Sequence, residues 1–255
     1  MAEETNTERE LGIIQIESKK LTNIDNFLKG DTNIKIIGCP FPNVTSAVSA
    51  FENCSNLESF NGNLDSLQYG NRMFYACEKL ETFTGDLPSL SNGNNMFYYT
   101  SISEFTTDLP SLTDGSGMFY DCDNLKTFVS NFENLSTYTE MFKDTHLETF
   151  KGGWMYKITD SGENFISTSC LSESKETLTT FQGNLRMSNT SNMFKDFAKL
   201  KTYEGSFTSA TESVGMFHNC IALESFSDGI WATNAESMFR GCENLNYIDS
   251  YTNNL

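Results

Sequence analysis

The sequence predicts a β-rich α/β solenoid, with coils of about 23 residues stacked into a right-handed rod around one continuous parallel sheet. Three observations predict it. A Met-Phe dipeptide returns at near-constant spacing, an apolar and aromatic pattern follows it at fixed offsets, and no helical or strand period outlasts a single unit.

The recurrence comes first. Aligned on the repeat phenylalanine, the units fall at Phe51, Phe74, Phe97, Phe119, Phe142, Phe165, Phe194, Phe217 and Phe239, with gaps of 23, 23, 22, 23, 23, 29, 23 and 22 residues. Methionine precedes seven of the nine, while Ala50 and Asn164 take the other two places. Cysteine follows three residues later in five units, at Cys54, Cys77, Cys122, Cys220 and Cys242. A leucine or isoleucine comes next, then an aromatic at Phe60, Phe83, Phe105, Phe128, Phe150, Phe181, Tyr203 or Phe226. The consensus is M-F-x-x-C-x-x-L-x-[TS]-F-x-G-x-L-x-x-L, closed by a turn rich in Ser, Asn and Gly.

Each unit must turn several times, so L-x-x-F-x reads as a short strand and M-F-x-x-C as a tight turn or a single helical turn. One coil alone would expose its apolar ladder, and only the next coil covers it. At about 4.8 Å per strand, nine coils make a rod on the order of 40 Å long. Residues 1–45, with Ile13, Ile14, Ile16 and Ile34 to Ile37, are expected to form a terminal segment, a degenerate first coil and a cap. Residues 46–255 form the solenoid, and the 29-residue gap predicts an insertion near 171–178, a loop bulging around Ser172 to Thr177. The last residues, Tyr247 to Leu255, carry no capping pattern, so a partner, a following segment or charge is expected to protect that edge.

The stretch Ala50-Phe51-Glu52-Asn53-Cys54-Ser55-Asn56-Leu57 resembles the A-F-x-x-C-x-x-L signature of BspA-type leucine-rich repeats, and the likeness covers roughly residues 27 to 250. The resemblance implies a leucine-rich-repeat solenoid that binds proteins or surfaces, and it implies the cell-surface setting of many bacterial members.

Composition narrows the function. The 255 residues include 17 Lys and Arg against 34 Asp and Glu, a net charge of −17, so nucleic acid is a poor partner. With 38% hydrophobic residues a core can form, and no apolar run is long enough to span a membrane. The acidic first residues lack the pattern of a secretory signal. Synthesis in the cytoplasm and assembly into something larger, such as a bacteriophage virion, is the expected setting, with a bacterial surface adhesin for host protein or glycan as the alternative. The seven cysteines form no C-x-x-C pair. One cysteine per coil gives a line of parallel side chains rather than ligands converging on one metal. No cofactor is expected.

No catalytic residue is assigned. His146 and His218 lie more than three coils apart, Asp121 and Asp123 form a lone D-x-D, and no nucleophile elbow or phosphate loop occurs. A carbohydrate-active enzyme on a solenoid is the remaining catalytic alternative. The residue before each strand aromatic is Ser59, Thr82, Glu104, Thr127, Thr149, Thr180, Thr202, Ser225 or Tyr247, an outward column that suits a pleated surface. Its outward neighbours vary: Asn61, Thr84, Thr106, Val129, Lys151, Gln182, Glu204 and Ser227. The candidate binding residues are Tyr75, Tyr98 and Tyr120, which follow Met-Phe in three consecutive coils and should stack into a stripe, together with Trp154 and Tyr156.

Overall fold

A computed structural model describes residues 13–14, 20–155, 171–185, 187–207, 209–227 and 232–249 of the chain. Among the described residues eleven short strands follow one another: β1 (Ile13–Ile14), β2 (Ile36–Ile37), β3 (Ser59–Asn61), β4 (Thr82–Thr84), β5 (Glu104–Phe105), β6 (Thr127–Val129), β7 (Thr149–Met155), β8 (Thr180–Leu185), β9 (Thr202–Glu204), β10 (Ser225–Ser227) and β11 (Tyr247–Asp249). All pairings are parallel and join successive coils, with Phe60 beside Phe83 and Phe128 beside Phe150. The register is therefore the repeat itself.

Two expectations need correction. The sheet is not continuous: β1 to β4 form one sheet, β5 to β11 another, and the ladder lapses between β4 and β5. The coil leading to β5 is one residue short, with Thr100-Ser101-Ile102 where its neighbour has Cys77-Glu78-Lys79-Leu80, and Glu104 stands in the hydroxyl column. A second short coil, Phe142 to Phe150, stays paired because the seven residues of β7 bond to β6 on one side and to β8 on the other.

The α/β label also finds no support, because the described residues contain no α-helix and a single 3-10 helix, Ser172–Glu176. At the Met-Phe corner, residues two before and two after the phenylalanine adopt left-handed angles, as at Arg72 (φ 56) and Ala76 (φ 54). Alternating handedness forbids a helix. Instead the amides alternate in direction. Those of Ala47, Ser49, Phe51 and Asn53 donate to Tyr69, Asn71, Met73 and Tyr75 of the next coil, and those of Ala50, Glu52 and Cys54 close tight turns onto Ala47, Ser49 and Phe51. Every second peptide thus ties the stack and the others tie the corner.

The core consists of two interlocked columns of rings. Phe51, Phe74, Phe97, Phe119 and Phe142 stack at 5.3 to 5.5 Å, and Phe194, Phe217 and Phe239 continue the pattern at 5.3 and 5.6 Å. The strand column runs from Phe60 to Phe226, and the columns meet edge to face, as at Phe105 and Phe119 (4.9 Å, 66°). Offset stacking and edge-to-face contact are the favoured arrangements of aromatic pairs. The glycine of F-x-G has a steric reason: a Cβ on Gly62 would lie 2.4 Å from the Cys39 carbonyl oxygen.

Phe165 lies outside the described residues. Leu171, Ser174 and Leu178 are buried ahead of Phe181, in the order of the Phe, Cys and Leu of other coils but with one extra residue between Ser174 and Leu178, so the segment expected to bulge is packed into its coil around the 3-10 helix. At the last strand Tyr247 and Ile248 are 58% and 45% exposed, so β11 covers its inner neighbour and is itself uncovered among the described residues.

Phe119 touches rings of both adjoining coils. Phe119→Ala is expected to cost about 3–5 kcal/mol in urea unfolding, and the change Tyr120→Ala on the half-exposed neighbour well under half of that.

Candidate recognition surface

The strands present two outward rows. Registers Ser59 to Thr82 and Thr127 to Thr149, Thr180, Thr202 and Ser225 place the hydroxyl column side by side, and Thr202 Oγ1 donates to Thr180 Oγ1 at 3.1 Å. Beside it, Val129, Lys151, Gln182 and Glu204 are consecutive partners in one row, with Asn61 and Thr84 in another on the first sheet. The frame repeats while the row changes in size and charge.

The three tyrosines form the expected stack, with centroids 4.6 Å apart between Tyr75 and Tyr98 and 4.9 Å apart between Tyr98 and Tyr120. Both ends are capped by cations, Arg72 at 3.7 Å over Tyr75 and Lys143 at 5.2 Å over Tyr120. All the ring faces are covered in this way, and what the row offers outward is ring edges and phenol tips. Burial, then the neighbouring phenols Tyr75 and Tyr120, push the Tyr98 hydroxyl above its ordinary range. The caps are held in turn. Arg72 makes a fork on Glu52 at 2.8 and 3.1 Å, Lys29 reaches the same carboxylate at 3.2 Å, and Lys143 pairs with Glu140 at 2.6 Å. Sequence reasoning missed Arg72, although its place three residues before Tyr75 puts both across one turn. Trp154 lies on β7 opposite Asn184, while Tyr156 lies outside the described residues.

The cysteine column has a bonding role that composition did not reveal. Each thiol donates to a carbonyl of the preceding coil: Cys54 to Leu28, Cys77 to Phe51, Cys122 to Phe97, Cys220 to Phe194 and Cys242 to Phe217, at 3.0 or 3.1 Å. Burial pushes the Cys54 thiol up to about 11 and Cys122 to about 12, and raises Cys77 and Cys220 as well. In the short coils Thr100 and Thr145 replace cysteine and bond their own Phe97 and Phe142 carbonyls. Among the described residues no group of three or more His, Cys, Asp or Glu side chains is arranged to hold a metal ion. Asp121 is raised by burial and by Asp123 and Asp144, the ordinary result of crowded carboxylates. No described helix is long and apolar enough to cross a membrane.

An open groove of about 940 Å³ crosses the step between β4 and β5, lined by Phe83, Thr84, Asp86, Thr106 and Asp108 among others.

Parallel coils of 22 or 23 residues with a fixed core and a changing outward row define a leucine-rich-repeat solenoid. The sequence matches the BspA type leucine rich repeat region in six copies over residues 7–90 and 48–164, and the chain belongs to that family. No curated protein matches the chain. Among solved structures it is similar to a leucine rich cell surface protein from Faecalibacterium prausnitzii A2-165, with 16% identity and a TM-score of 0.47 over 94% of this chain and 88% of that one. It is also similar to a leucine-rich repeat protein from Bacteroides ovatus ATCC 8483, with 19% identity and a TM-score of 0.46 over 96% of this chain and 70% of that one.

Two measurements check the local chemistry. At pH 8 the thiols of Cys54, Cys77, Cys122 and Cys220 should resist alkylation in the native protein and react on unfolding, with half-buried Cys242 ahead of them; native labelling at the rate of a free thiol would contradict the bonding column. The Arg72 fork holds Glu52 down at about 2, from an ordinary 4.5. A carboxylate lowered in the folded state stabilises above its unfolded pKa and loses that contribution as pH falls through its folded pKa. Arg72→Leu should therefore cost about 1–3 kcal/mol near neutrality, and thermal melts of the two proteins should converge between pH 4.5 and pH 2.

Proposed function

We propose that this chain is a non-catalytic recognition solenoid that binds another protein through its strand face. The observation that carries the reading is the row Val129, Lys151, Gln182 and Glu204, which varies in charge and size on a frame whose inward residues barely change. A surface that only stabilised the sheet would favour one residue type throughout, as the adjacent hydroxyl column does. The edges and phenol tips of Tyr75, Tyr98 and Tyr120 form a second contact area at the Met-Phe corner.

Family membership supports protein binding and an outer-surface setting in a bacterium, which makes the adhesin reading the one carried forward. It lends no support to a virion component.

The test is a pull-down from the native source followed by binding measurements with the captured partner. Val129→Ser, Lys151→Glu and Glu204→Lys combined should weaken that partner at least tenfold while leaving Tm within about 2 °C. Undiminished affinity would move the site off the strand face. Turnover of a protein or glycan, abolished by changing one carboxylate, would overturn the non-catalytic reading.

A further inference from the structure

We infer that the step between β4 and β5 is a hinge, at which the strand face of the solenoid opens while the Met-Phe side acts as its spine. At the entries to β3, β4, β6, β7, β8 and β9 two successive amides share one carbonyl of the coil before, and at β10 and β11 one amide makes that bond. Glu81 and Thr82 bond Glu58, Lys126 and Thr127 bond Ser103, and Glu148 and Thr149 bond Lys126. The corresponding Ser103 and Glu104 make no such pair with Glu81, and β4 and β5 share no ladder.

The strand column of rings opens at the same step. Phe83 and Phe105 lie 6.2 Å apart, against 5.2 to 5.8 Å for the other successive pairs from Phe60 to Phe226, and Phe83 alone in that run is half-buried rather than buried. The groove described above spans this step and the bonded one before it, with residues after β3, β4 and β5 in its lining.

The opposite side of the same two coils is intact. Gly70, Arg72, Phe74 and Ala76 donate to Asn92, Asn94, Met96 and Tyr98 at 2.8 or 2.9 Å, and Phe74 stacks on Phe97 at 5.4 Å. Across the opening the tethers are side-chain hydroxyls, Ser101 Oγ to the Glu78 carbonyl and Thr107 Oγ1 to that of Gly85. One bonded edge and one loosely tethered edge make a hinge with a defined axis, and motion about it would change the angle between the two runs of recognition residues.

Relaxation dispersion on the whole chain tests this, since hinge motions fall on the microsecond to millisecond scale. Residues 82–88 and 103–108 should share one exchange rate, while Phe74, Phe97 and Phe119 show flat profiles. A variant with one residue inserted after Thr100 and Glu104→Thr, which restores the regular coil, should lose that exchange. Flat profiles across the step, or exchange confined to one of the two segments, would overturn the hinge, and the wild-type profiles decide the matter if the variant does not fold.

Discussion

The stacking of one benzyl ring on the next, coil after coil, is the constraint on which the rest of this molecule depends. No single coil has a core of its own, because the rings of Phe74 and Phe83, which meet edge to face within one coil, have no parallel ring beside them until the coils on either side arrive. Once they do, each of these two rings has a parallel neighbour above and below and an edge-to-face partner in the other column. Ring spacings above the roughly 4.8 Å between strands show that the rings lean and slide rather than sit in perfect register. Along the strand column the residue type changes little for that reason: tyrosine enters once, at Tyr203, and isoleucine only toward the two ends, at Ile14, Ile37 and Ile248.

Around the rings, polar groups repeat the same solution in different chemistries. Hydroxyls of Ser91, Thr113 and Ser136 donate to carbonyls one coil back, as do the thiols of Cys77 and Cys122 at another corner and Ser66 and Ser111 at a third. At the first of these corners the hydroxyl shares its carbonyl with backbone amides of its own coil, as at Gln68, Ser91 and Thr113, and at the second Cys77 shares the Phe51 carbonyl with the backbone amide of Cys54. A rigid frame of this kind leaves the outward row free to vary without loss of fold. Recognition can change while the core stays the same.

Much of this was legible in the residues. The Met-Phe spacing gave the coil length, the leucine and phenylalanine offsets gave the inward face, and the tyrosines at Tyr75, Tyr98 and Tyr120 fell into contact as their shared position required. What stayed hidden depended on contacts between coils rather than on pattern within one. The lapse beside β5 follows from a single missing residue combined with Glu104, and the same shortening is harmless beside the long strand β7. Left-handed angles at Arg72, Ala76, Tyr99 and Glu140 were unreadable because none of these residues favours that conformation, which the stack imposes. The cation caps on the tyrosine row were equally hidden, since Arg72 and Lys143 lie in different coils and meet the row from opposite ends.

Ring-to-ring nuclear Overhauser contacts in protein labelled only at phenylalanine test the shared core most directly. A common column requires Phe119 to show contacts with Phe97, Phe105, Phe128 and Phe142, and none with Phe51 or Phe217. Contacts from Phe119 to rings several coils away, or no contact to either neighbouring repeat phenylalanine, would contradict a solenoid held together by adjacent coils.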